Sequence, residues 1–201
     1  MERLGKLIRR DWRYIAAIAG LFCFTIYLGH LLRNTHPQLL ERLGKAYFRK
    51  LAELARTIHG QPTWIEIGII WLNNMFAAAL AFTIGIFLPI LPLFPLIGNG
   101  LMIGYFQRAI ELKSGMNFFR FYLALVPHGI FELSAFFIAV MLGIRFGLVP
   151  YRLIWQHHMT RQRKPLFRIF CNEAFSYWGL ITVMLFVAAV IEVTVSPLLF
   201  K

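Results

Sequence analysis

Two ionisable residues stand one helical turn apart in "ALVPHGIFELSAFF", residues 124–137. His128 and Glu132 lie near the middle of a long apolar run, and their spacing puts both on one helix face. An imidazole beside a carboxylate can relay protons, hold a cation or lock helix register. At the centre of a bilayer an acidic side chain costs about 2.5–3.5 kcal/mol, so such a pair needs partners. Candidates stand in three other apolar segments: Asn73 and Asn74, Asn99, and Glu192. At about 1.5 Å of rise per residue, these residues fall in a band about 15 Å deep. Four segments can then each donate a polar group to one core.

Three uses of that core compete. The first is a structural lock, in which the six residues satisfy one another. An interhelical hydrogen bond contributes only about 0.6 kcal/mol on average, but a buried one left unmade costs more. The second is a pathway for protons, ions or a solute, since membrane carboxylates paired with histidine mark relays. A metal site at His128, Glu132 and Glu192 ranks third, because one histidine and two carboxylates make no specific signature. Catalysis ranks last. The chain has no HExxH, no GxSxG and no paired acidic motif at a membrane surface. We expect no enzyme activity and no cofactor.

The elements that must position these residues are membrane helices. Of 201 residues, 59% are hydrophobic and 15% charged, which is the balance of a membrane protein and leaves no room for a separate soluble domain. A hydrocarbon core about 30 Å thick needs about 20 apolar residues per helical crossing. Five crossings are expected, at 14–32, 65–88, 93–111, 121–143 and 176–198. The fold class is therefore an all-α polytopic membrane helix bundle, one domain over residues 1–201. The basic, apolar N-terminus lacks a small-x-small cleavage site and reads as a retained first helix.

Between the first two crossings, 37–59 reads as an amphipathic helix on the membrane surface or over the bundle mouth. Its Leu40, Leu43, Tyr47, Leu51 and Leu54 recur at helical spacing among Arg42, Lys45 and Arg49. From Ile67 to Gln107 there is no Asp, Glu, Lys, Arg or His. In its middle, Pro89, Pro92 and Pro95 forbid a straight helix. Either a tight apolar hairpin joins two crossings there or a broken helix turns within the membrane; the hairpin is the preferred reading. Residues 145–170 read as a basic connection, in which His157–His158 belongs to a solvated interfacial helix rather than to a metal site. Small residues at Ala77, Ala81 and Gly85, at Gly100 and Gly104, and at Gly143 and Gly147 are spaced for close helix packing. Gly129 offers a further close approach.

The net charge of +12 comes from Lys and Arg at segment ends, where they anchor helices to anionic headgroups. The bilayer is thus the expected partner, and nucleic acid is not. With the N-terminus inside, eleven basic residues fall on the inner side and ten on the outer. The dense basic flank of the first helix favours that orientation. Cys23 and Cys171 are too far apart in this topology to pair.

Read in order, Asn73–Asn74, "GNGLMIG" (98–104), "PHGIFELSAFFIAVMLGIRFG" (127–147) and "AAVIEVTVSP" (188–197) resemble the stage II sporulation protein M family. The likeness runs from about residue 64 to the end, and His-Gly-x-x-Glu followed by Gly143 and Gly147 is its most specific mark. The resemblance implies a multi-helix integral membrane protein of the cell membrane without known catalytic activity. It also implies a scaffold for an envelope complex, as in the sporulation member, thought to organise peptidoglycan-degrading enzymes during engulfment. Some relatives have been suggested to act in transport. A homo-oligomer with envelope-remodelling or transport partners is the corresponding expectation.

Overall fold

The structure, a computed structural model, describes residues 2–36, 38, 49, 53, 56–57, 60–114, 118–159 and 165–195. Among the described residues, five long helices follow in order: α1 (Glu2–Thr35), α2 (Thr63–Ile84), α3 (Leu93–Ser114), α4 (Phe118–Met159) and α5 (Leu166–Thr194). The amphipathic segment expected at 37–59 lies almost wholly outside the described residues, as does the end of the last expected crossing, 196–198.

Proline sets several of the boundaries. Pro62 and Pro165 immediately precede α2 and α5, where a missing N–H leaves no ladder bond unmade. Their carbonyls accept from Ile65 (2.8 Å) and Ile169 (3.0 Å). After Ile84 the chain makes short turns through Pro89 and Pro92, with Leu91 N–H donating to the Leu88 carbonyl (3.1 Å) and Leu93 to that of Ile90 (3.0 Å). The chain thus turns where the prolines require it. The two helices it joins nevertheless part company: α2 packs on α4 and α5, and α3 packs on α1.

Close backbone approach explains that divergence. A Cβ at Gly85 would collide with the carbonyl of Gly143, and one at Gly147 with the carbonyl of Gly85 and the backbone of Pro89. The proline turn therefore nests on two glycines of α4. On the other side, a Cβ at Gly29 would strike the Leu101 carbonyl, one at Gly104 that of Ile26, and one at Gly100 the Thr25 hydroxyl. Gly129 makes no such contact. The nearest atom to its would-be Cβ is Leu125 Cγ of its own helix, at 3.9 Å.

Helix α4 is the axis of the molecule. It is apolar on all sides from Ala135 to Gly143, and every residue in that run is buried, as befits a helix surrounded by others. Its 42 residues amount to about 63 Å at 1.5 Å per residue, twice a bilayer core. Pro127 and Pro150 lie within it, each deleting one ladder bond without ending the helix. The stretch expected as a basic connection, 145–170, is helix to Met159 and again from Leu166. The reason lies in Arg145, Phe146 and Val149, which pack into the bundle and draw the helix onward. Phe146 joins Phe82 and Phe170 in a trio of near-parallel rings, with its centroid 5.2 Å from each and theirs 6.5 Å apart.

Among the described residues, four helices are long and apolar enough to cross a membrane: α1, α2, residues Leu125–Ile154 of α4, and α5. Helix α3, expected as a third crossing, is not among them. Its polar residues explain this, because Gln107 is buried against α1 and Arg108, Glu111 and Lys113 follow toward its end. Among the described residues there is no strand, and Cys23 and Cys171 are free and exposed.

Candidate functional site

The fourth and fifth helices bring three ionisable residues together. His128 and Glu132 project from one face of α4, and Glu192 meets them from the last turns of α5. One donor atom from each lies within 4.8 Å of the others, and all three residues are partly buried. Among the described residues, no lysine or arginine forms an ion pair with either glutamate.

Glu132 also lines a cavity of about 120 Å³, together with Asn74 of α2 and Asn99 of α3. Ala77, Ala78 and Leu185 supply part of the apolar wall. A volume of this order holds a few waters or one small solute; an engineered apolar cavity of about 150 Å³ admits benzene. Helices α2 to α5 thus contribute to one polar centre with Glu132 at its hub. Asn73 stands apart. It is exposed, and its amide donates to Asn74 Oδ1 at a long 3.4 Å.

A second ionic centre went unread in the sequence. Near the start of α1, the Arg10 guanidinium grips both oxygens of Glu173 on α5, at 2.7 and 2.8 Å. It also donates to Asp11, from Nε to Oδ1 at 2.8 Å and from Nη2 to Oδ2 at 2.9 Å. Arg145 of α4 bridges the same two carboxylates, reaching Asp11 Oδ2 at 2.9 Å and Glu173 Oε2 at 2.5 Å. The fully buried Tyr177 hydroxyl donates to Asp11 Oδ2 at 2.9 Å. Two arginines and two carboxylates close this clasp with no formal charge left over. Bidentate arginine–carboxylate pairs are among the stronger protein hydrogen bonds. A groove of about 500 Å³ opens beside it between α1 and α4, where Arg152 joins Arg10 and Arg145 along the wall.

In sequence, Arg10 and Arg145 are indistinguishable from arginines that anchor helix ends to headgroups. The available signal was acidic. Asp11 and Glu173 are solitary carboxylates in basic surroundings, "RRDWRY" and "RIFCNEAFSY". Similarly, His30 Nδ1 and Gln107 Oε1 lie 2.7 Å apart across the α1–α3 seam, and Gln107 Nε2 donates to Glu111 at 3.0 Å. Arg33 donates to the Tyr105 hydroxyl at 2.7 Å while lying 4.8 Å over its ring. The small-residue spacing of Thr25 and Gly29 was the readable sign of that seam.

Apolar helices long enough to span a bilayer, close-packed through glycines and gathered around an internal polar centre, define a helical membrane protein. Residues 18–197 match the family described as Stage II sporulation protein M, and the chain belongs to that family. The matched span takes in all of His128, Glu132, Glu192, Asn74 and Asn99, but begins beyond Arg10 and Asp11. No curated protein and no solved structure is significantly similar to the chain.

Proposed function

We propose that the protein is a non-enzymatic, multi-pass scaffold of the cell membrane, holding together a membrane or envelope complex, and that it works as an oligomer. The observation that carries this reading is the clasp. Arg10, Asp11, Arg145, Glu173 and Tyr177 fix three helices by direct bonds. Glycine seams fix α2 and α3 to α4 and α1. A frame braced in this way presents constant surfaces to partners. The proposed partners are envelope-remodelling proteins, in keeping with the sporulation role that the family name carries.

The test is crosslinking in native membranes followed by purification of the tagged chain. The scaffold reading expects a stoichiometric assembly of several copies with envelope proteins, retained in Glu132→Gln and lost in Glu132→Leu. A monomer that captures no partner would overturn it.

A second reading, a transporter, channel or export-system subunit, is favoured by one observation: the cavity lined by Asn74, Asn99 and Glu132. It expects flux into proteoliposomes that Glu132→Gln abolishes without unfolding the protein. Equal flux into empty vesicles across pH sinks it.

A further inference from the structure

We infer that His128, Glu132 and Glu192 form a binding site for one divalent cation of the zinc or manganese class, which fastens the ends of α4 and α5 together. The inference stands independently of the scaffold reading, because the site would serve a scaffold and a transporter alike.

Three observations carry it. First, an imidazole and two carboxylates converge from two helices, with donor atoms within 4.8 Å of one another. Ligands bound at about 2.0–2.2 Å in tetrahedral array stand about 3.4 Å apart, so the set must contract by little more than 1 Å. Side-chain rotation can supply that movement. Second, the two glutamates face each other with no lysine or arginine paired to them among the described residues. The carboxylates of the clasp are each bridged by two arginines. Two carboxylates that approach one another away from bulk water call for a proton or a cation between them. Third, Glu132 also borders the polar cavity, whose Asn74 and Asn99 carboxamides can carry the waters of an arriving or coordinated ion.

The donor set selects the ion. One neutral imidazole with two carboxylates suits borderline divalent metals, whereas magnesium and calcium prefer all-oxygen shells. A ligating histidine binds through one ring nitrogen and keeps the other for the hydrogen bond that orients it. Because His128 and Glu132 belong to α4 and Glu192 to α5, the ion would bridge the two helices.

The experiment uses the full chain, purified in detergent and stripped with a chelator. Cys23→Ser and Cys171→Ser remove the two exposed thiols that would take zinc on their own. Zinc chloride is titrated calorimetrically and thermal unfolding is followed alongside. The expected result is one zinc per chain with a chelator-reversible rise in Tm. Affinity should fall at least about tenfold in Glu192→Gln and in His128→Ala, one substitution on each helix. Zinc binding unchanged in Glu192→Gln, or no binding by the parent chain, overturns the proposal. Should the variants fail to fold, X-ray absorption on the zinc-loaded parent decides. A low-coordinate shell of nitrogen and oxygen including one imidazole supports the site; a fully hydrated ion or a sulfur ligand overturns it.

Discussion

At the end of the bundle that carries the N-terminus, two carboxylates meet two arginines; toward the other end, two carboxylates meet one histidine. Along α5, Glu173 and Glu192 are separated by about 28 Å, at 1.5 Å per residue. The same side chain on the same helix thus works in two ways. Glu173 is held by Arg10 and Arg145, and its charge is answered within the chain. Glu192 faces Glu132 and His128, and among the described residues no lysine or arginine forms an ion pair with it. The first arrangement is finished when the helices pack. The second leaves room for a proton or a cation between its carboxylates.

The comparison can be broken most directly at Glu173. Replacing it by leucine leaves Arg10 and Arg145 to share Asp11 alone, one positive charge in excess. With Arg10 half exposed, the cost should lie at or below the lower end of the about 3–5 kcal/mol typical of a buried pair that loses one partner. We expect Glu173→Leu to lower yield and unfolding temperature sharply in detergent; a variant as stable as the parent would show the clasp to be ornamental. Tyr177→Phe removes only the hydroxyl that serves Asp11 and should cost about 1.5–3 kcal/mol, the range for a hydrogen bond to a charged group, read by the same unfolding curves.

Gly143 lies on α4 between the two regions, where a Cβ would meet the Ala81 carbonyl at 2.7 Å and Pro92 Cγ at 2.9 Å. Gly143→Ala should therefore destabilise by about 1–3 kcal/mol, as overpacking does. Glu192→Gln in metal-free protein removes a like-charge contact, and it should change stability by under about 1 kcal/mol, toward greater stability. The opposite sign from Glu173→Leu is the point of the pair. A large destabilisation of metal-free Glu192→Gln would mean that the carboxylate already has a strong partner within the chain. Smallest of all, Gly129→Ala meets nothing but its own helix and should stabilise by about 0.5–1 kcal/mol through backbone entropy.

Much of this was legible because polar residues in an apolar run are few and expensive. His128, Glu132, Glu192, Asn74 and Asn99 could be picked out by cost alone, and the structure brings them around one centre. Asn73 could not be separated from Asn74 without knowing which way α2 turns. The clasp was illegible for another reason. Arginine at a helix end is the commonest thing in a membrane protein, and only tertiary proximity tells a headgroup anchor from a partner of Asp11. Helix ends suffered likewise, since α4 runs on to Met159 to keep Arg145, Phe146 and Val149 in the bundle. The proline turn was readable from Pro89, Pro92 and Pro95. The divergence of α2 and α3 followed from Gly143 and Gly147 lying far downstream, in a helix whose centrality no local pattern announces.

The clasp also dictates an order of assembly. Arg10 and Asp11 leave the ribosome first, Arg145 follows after three further helices have begun, and Glu173 arrives last of all. Until it does, the clasp holds two guanidinium groups against the single carboxylate of Asp11. Packing of α5 is therefore the step that balances the charge of the clasp, and a chain cut short before α5 would be left with one clasp arginine in excess.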